Sequence, residues 1–396
     1  MRQVRADYNP DFLAIQTEWS LIGRDRHERM LTIQSRNMTV LFVVLILMLS
    51  GCATQQSPIE AKSETETGQT ADSSSEMSAD ELSSDPSPAP TEPATESRDP
   101  EVVEFAVPSG ARPHDVAPAP DGTVWYTAQR QGALGRLDPE TGDTVHIPLG
   151  SGSAPHGVIV GPDGAPWITD SGLNAIVRVD PDTQGVDVFP LPTSFPNANL
   201  NTAVFDNAGV LWFTGQNGVY GRLDPTEGVV QAFSAPRGRG PYGITATPDG
   251  VVYYASLAGN HIARIDPISH EATVIEPPTS GQGARRVWSD SSGRIWVSEW
   301  NAGQLGLYDP ASGEWLEWRL PGSGPQAYAV YIDENDTVWL SDFGSNSMLS
   351  FDPDEEQFEI FPVPSSPANV RQILGIPGEV WGAESGTDKL VVIRLP

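Results

Sequence analysis

The sequence predicts an all-β fold, a seven-bladed β-propeller over residues 101–396, and three observations carry that reading. An aromatic residue follows a short apolar strand seven times, at Trp125, Trp167, Trp212, Tyr253, Trp296, Trp339 and Trp381, with gaps of 42, 45, 41, 43, 43 and 42 residues. A period in the forties filled with strand and turn signals is the signature of a four-stranded propeller blade. A strand ending in Asp-Pro recurs after most anchors, as in Gly135-Arg136-Leu137-Asp138-Pro139 and Gly221-Arg222-Leu223-Asp224-Pro225. The last blade lacks an outer strand, and an unassigned strand at Glu101–Val107 has the outer-strand pattern.

Residues 1–52 read as a segment apart. Val40–Leu49 is an unbroken apolar run, too short to span a bilayer but suited to a signal-peptide core. It follows Arg36 and ends in Leu49-Ser50-Gly51-Cys52, which resembles a bacterial lipobox, and Cys52 is the only thiol in the chain. Cys52 is therefore the expected lipidation site, and the expected location is extracytoplasmic, anchored to a membrane. Residues 1–29 carry mixed charge without an apolar core, so the expected start is Met30 or Met38.

Residues 53–100 are rich in Ser, Glu, Thr, Pro and Ala and poor in large apolar residues. Such a stretch cannot bury enough surface to offset its ordering entropy and is expected to be a disordered tether. The whole chain carries a net charge of −29, which argues against a nucleic-acid partner.

Within the first repeat, Pro120-Asp121-Gly122 is a turn signal and Thr123–Thr127 alternates as a strand. Ala133–Leu137 and Thr144–Pro148 supply two more strands, and the recurring Asp-Pro closes the third strand and opens a turn. Pairing Glu101–Val107 with the final strand, Lys389–Arg394, would close the ring without an open sheet edge. Six blades with an appended strand pair is the alternative, and seven anchors argue against it.

Matching repeat positions in such a ring meet at one mouth of the central channel. Eleven residues before each anchor stand His114, His156, Asn201, Tyr242, Arg285 and Tyr328, with Arg371 ten before the last. Three after each anchor stand Ala128, Asp170, Gly215, Ser256, Glu299, Asp342 and Glu384. Core positions of a repeat should be alike; these are polar and differ, as expected of a site built once. Imidazole moves protons near neutral pH, Arg holds carboxylate or enolate-like anions, and clustered carboxylates suit Mg²⁺. The competing reading is an Arg–carboxylate network that merely lines the channel. His146, His261 and His270 fall outside the ring position, and the tryptophans recur as core anchors.

Pro155–Asp170, Pro241–Gly250 and Ile295–Gly303, together with the Gly-Arg-Leu-Asp-Pro strands, resemble blades of the virginiamycin B lyase (streptogramin lyase) family. The resemblance implies a seven-bladed propeller that opens a cyclic depsipeptide by elimination at its ester linkage, using Mg²⁺ and a His general base. The family's two functional histidines occupy the ring position of its last two blades, the final one in Glu-Pro-His. Here those positions hold Tyr328 and Arg371, with Asn369 in place of the Glu, while Glu384 retains the carboxylate after the last anchor. Histidines occur instead in Pro113-His114 and Pro155-His156, and Ala154 stands where a metal-binding Glu would precede the second.

The resulting expectation is a monomeric envelope lyase with a small-molecule substrate. His114 or His156 removes a proton, with Tyr242 and Tyr328 beside them as further catalytic candidates. Asn201, Arg285 and Arg371 bind substrate, and Glu384 with Glu299 or Asp342 binds the divalent metal. The alternative from another class is a non-catalytic ligand- or protein-binding propeller. A sugar-lactone hydrolase is a third reading, disfavoured because those rings have six blades.

Overall fold

The computed structural model describes residues 99–396. The expected lipobox, the signal segment and nearly all of the tether therefore lie outside the described residues. Among the described residues, no helix is long and apolar enough to cross a membrane. Seven four-stranded antiparallel sheets follow one another as blades. Blade 1 comprises Pro113–Pro118, Val124–Ala128, Ala133–Leu137 and Thr144–Pro148, from axis to rim. The inner strands of blades 2 to 7 are Pro155–Val160, Leu200–Phe205, Pro241–Ala246, Ala284–Ser289, Ala327–Ile332 and Val370–Ile376. In blade 7 the fourth strand is Glu101–Ala106, antiparallel to Lys389–Arg394.

The repeated sequence features have local physical reasons. Each anchor is buried between blades: Trp125, Trp296 and Trp381 are 1, 0 and 0 % exposed. The indole N–H finds an acceptor, as from Trp212 to Asp206 at 2.8 Å, Trp296 to Asp290 at 2.9 Å and Trp339 to Asp333 at 2.9 Å. A buried indole without such a partner would forfeit its hydrogen bond to water.

The Arg of the third strand pairs in register with the anchor, Trp125 with Arg136 and Trp167 with Arg178, and its guanidinium covers the ring at 5.4 and 6.0 Å. In blades 1 and 3 the Gly before that Arg accommodates the aromatic following the anchor, since a Cβ at Gly135 would collide with the Tyr126 ring and one at Gly221 with the Phe213 ring. The Asp of Asp-Pro accepts backbone N–H groups of the next turn, as Asp180 does from Asp182 at 3.1 Å and Thr183 at 2.8 Å. Those aspartates are turn residues, as the sequence predicts.

A candidate site at the mouth of the axial channel

All seven inner strands carry a register shift immediately after their first residues. A bulge leaves a backbone N–H without a ladder partner and redirects the neighbouring side chains. In blades 1, 2, 3, 5 and 6 a hydroxyl two residues past the anchor takes up that N–H, whereas blades 4 and 7 have Ala255 and Ala383 there. Thr127 Oγ1 accepts from Asp115 N at 3.0 Å, Thr169 Oγ1 from Gly157 N at 2.9 Å and Ser298 Oγ from Arg286 N at 3.1 Å. Each of these hydroxyls then donates to the ring-position carbonyl of the next blade, respectively His156, Asn201 and Tyr328, at 2.9, 2.5 and 2.8 Å. The backbone of the mouth is thus tied blade to blade.

The ring read from the sequence is brought together. His114 and His156 lie against each other with centroids 3.7 Å apart and planes tilted by 48°, and His156 meets Tyr242 edge-on at 6.1 Å. Asn201 Nδ2 donates to His156 Nε2 at 3.2 Å. The hydroxyls of Tyr242 and Tyr328 hydrogen-bond at 2.7 Å. Arg285 donates to Tyr242 OH at 2.9 Å and its guanidinium lies 3.6 Å from the Tyr328 ring centroid; Arg371 donates to Tyr328 OH at 3.2 Å.

One residue further along each strand lies a second set that the sequence reading missed. His114 Nδ1 lies 2.7 Å from Asp115 Oδ1, and Asp115 in turn meets Arg286 Nη2 at 3.1 and 3.3 Å. Arg286 also donates to Thr202 Oγ1 at 2.5 Å, and Asp115 and Arg286 are both 2 % exposed at their side chains or less. With Nδ1–H donated to Asp115, Nε2 is the free nitrogen of His114. His156 is the opposite case: Asn201 occupies Nε2, and its buried Nδ1 has no partner.

Burial, reinforced by Arg371, Arg286 and Arg285, holds the His114 imidazole well below its ordinary value. Burial and the neighbouring His114 do the same to His156. Both rings are therefore neutral near pH 7; His114 keeps a lone pair on Nε2 to accept a proton, whereas that of His156 is taken by Asn201. Burial raises Asp115 despite Arg286. For Tyr328 burial works upward, but Arg285, Arg371 and Arg286 outweigh it and hold the phenol below its usual range. Burial and Tyr328 push Tyr242 up to about 12.

The carboxylates three residues past the anchors do not join this ring. Asp170 Oδ1 accepts Ala154 N, Gly172 N and Leu173 N, each at 2.9 Å, and Asp342 accepts Gln326 N at 2.6 Å and Gly344 N at 2.9 Å. Both cap loops. Glu299 is fully buried, lies against Gly306, and neither carboxyl oxygen has a hydrogen-bond partner. Burial and nearby Glu317 push it up to about 8. Glu384 accepts Thr387 Oγ1 at 2.5 Å, and burial pushes it up to about 7. The expected metal set of Glu299, Asp342 and Glu384 is thereby separated, because each carboxyl serves its own strand end or loop.

The group whose ligand atoms do converge, within 4.8 Å among the described residues, is His114, Asp115 and His156. This spacing can hold a metal ion. The donor set does not fit Mg²⁺, which wants oxygen ligands in octahedral array. Two of the three donors are imidazoles, and Arg286 already occupies both oxygens of Asp115.

Beside the ring, Arg112, Arg130 and Arg371 with Asn369, Ser385 and Asp388 line a depression of about 350 Å³. Asp388 makes no ion pair with these arginines; its two oxygens accept the backbone N–H groups of Gly110 and Arg112 at 2.8 and 2.7 Å. Of Arg112, Arg130, Arg285, Arg286 and Arg371, Arg286 alone has a carboxylate partner among the described residues. Four guanidinium groups without a carboxylate partner thus gather at one mouth, where an anion can be attracted.

Fold and mouth together define the class: a seven-bladed β-propeller with a polar, arginine-rich site on its axis. The chain belongs to the virginiamycin B lyase family, whose profile matches residues 94–311 and 209–393. The crystal structure of virginiamycin B lyase from Staphylococcus aureus is 20 % identical with a TM-score of 0.70, covering 75 % of this chain and 100 % of that one. A streptogramin B lyase structure is 22 % identical with a TM-score of 0.69, covering 75 % and 98 %. YCF48 bound to D1 peptide is 16 % identical with a TM-score of 0.61, covering 74 % and 97 %. At these identities the likenesses show the fold. No curated protein sequence matches the chain.

Proposed function

We propose that the mouth is the active site of an eliminative lyase acting on a small ester or cyclic-peptide-like substrate, with arginines doing the electrostatic work that the family resemblance assigns to Mg²⁺. One observation carries this reading: an Asp-oriented imidazole, His114, shares a ring with two uncompensated guanidinium groups, Arg285 and Arg371. His114 Nε2 takes the proton from the carbon next to the one that bears the ester oxygen, a carbon α to the adjoining amide carbonyl whose oxygen becomes the enolate oxygen. Arg285 and Arg371 hold the developing enolate oxygen. The C–O bond at the β carbon then breaks and its electron pair leaves with the carboxylate. Asp115 fixes the His114 tautomer and stabilises the imidazolium, while Tyr242, Tyr328, Asn201 and His156 shape the wall. An extracytoplasmic, lipid-anchored location through Cys52 accompanies this proposal; loss of palmitate incorporation in Cys52→Ser tests it.

The experiment is incubation with an ester-linked cyclic depsipeptide, followed by mass spectrometry. Elimination opens the ring without a change in mass, whereas hydrolysis adds one water. Turnover should survive EDTA and be lost in His114→Ala. Unchanged turnover in both His114→Ala and Arg371→Gln overturns the reading. A second reading, a non-catalytic binder, is favoured by the blocked Nε2 and depressed basicity of His156, and by the peptide bound to the YCF48 propeller. Saturable binding without any product would select it.

A further inference from the structure

The Asp115–Arg286 pair divides the axial channel. On its far side, at the ends of the inner strands, lies a separate chamber of about 390 Å³. Its floor is Asp115, Thr202 and Gln372, and its walls are apolar, with Val204, Trp288, Tyr331 and Leu374 among them. None of His114, His156, Tyr242, Arg285, Tyr328 or Arg371 lines it.

We propose that this chamber is a second ligand site, taking a small neutral molecule that is largely apolar and carries one hydrogen-bond donor. Four observations select that chemistry. The volume falls within the range of small-molecule pockets, which are concave, mostly apolar and fitted with a few convergent polar groups. Gln372, a residue of the chamber floor, is 5 % exposed, and its buried Oε1 has no hydrogen-bond partner. A buried amide oxygen without a donor is costly, so a donor on the ligand is the missing element. The sole charged group of the lining, Asp115, is already neutralised by Arg286, which leaves nothing to favour an ion. Trp288 and Tyr331 stand edge to face, centroids 5.2 Å apart, and offer an aromatic wall. A Cβ at Gly375 would come within 2.8 Å of the Tyr331 ring, so the strand passes this wall only as glycine.

Benzamide, neutral and aromatic with an amide donor, is the probe, titrated into the full chain by calorimetry. One-site saturable binding is expected. Leu374→Trp, which fills the chamber, should abolish it, and Val204→Phe should do the same if the first variant fails to fold by circular dichroism. Gln372→Leu should weaken binding about five- to tenfold. Arg371→Gln, at the mouth, should leave it unchanged, which separates this site from the lyase reading. Absence of saturation up to the solubility limit overturns the proposal. So does binding that persists in a folded chamber-filling variant, or binding lost in Arg371→Gln.

Discussion

Arg286 of blade 5 reaches Asp115 of blade 1 across the axis, 171 residues away in sequence, with Nη2 and Oδ1 3.1 Å apart. Both side chains are 2 % exposed, so each charge depends on the other. Removing one partner of a buried pair strands the remaining charge, at about 3–5 kcal/mol. Asp115→Ala and Arg286→Met should each lower the urea midpoint by that scale, and the double variant should recover part of the loss. Additive losses would mean that the two residues do not interact.

Small carboxylates should bind the mouth of the intact protein and do so less well as salt rises, because its guanidinium groups are only partly shielded from solvent. Arg371→Gln should weaken acetate or benzoate about tenfold, since a charge-assisted hydrogen bond contributes about 1.5–3 kcal/mol. Calorimetry at two ionic strengths measures both effects.

Stability should fall with pH across the neutral range. Glu299 has a folded value of about 8 against 4.5 for the free group, and Glu384 about 7. Between these values the folded protein holds protons that the unfolded chain has released. The contribution is thus complete below about 4.5 and vanishes as pH climbs through about 8. Glu299→Gln keeps the shape without the titration. It should be more stable than the parent at pH 8 by roughly 1–3 kcal/mol, with a flatter profile in denaturant melts.

Deleting the chain through Ala106 removes the partner of Lys389–Arg394. It also removes Glu104, which accepts Lys389 Nζ at 2.5 Å and Ser365 N at 2.7 Å. The bared edge should lower the melting temperature and promote association, which light scattering detects. An unchanged melt would mean that the ring does not rely on this strand.

The blades were legible because seven copies of one packing problem call for the same answer. An anchoring aromatic recurs in every blade, with an Arg opposite it in blades 1 to 4, and Asp138, Asp180 and Asp224 recur where the turn needs an acceptor. The mouth was half legible. Counting back from the anchors finds His114, Arg285 and their counterparts, but strand alternation allots one axial residue per blade. The bulge allots two, so Asp115, Thr202 and Arg286 escaped. The same repeat arithmetic misled at Glu299 and Asp342. A shared offset from the anchor does not give a shared destination once one side chain caps a loop and another settles against Gly306.

Thr127, Thr169 and Ser298 carry a consequence beyond their own hydrogen bonds. Because these hydroxyls grip main-chain atoms only, the frame does not register which side chain is mounted at the position it supports. An imidazole, an amide and a phenol sit on the same kind of bracket in blades 2, 3 and 6. Such a frame lets chemistry at the opening be exchanged residue by residue while the scaffold stays intact, so relatives can share an outline yet diverge in what they recognise.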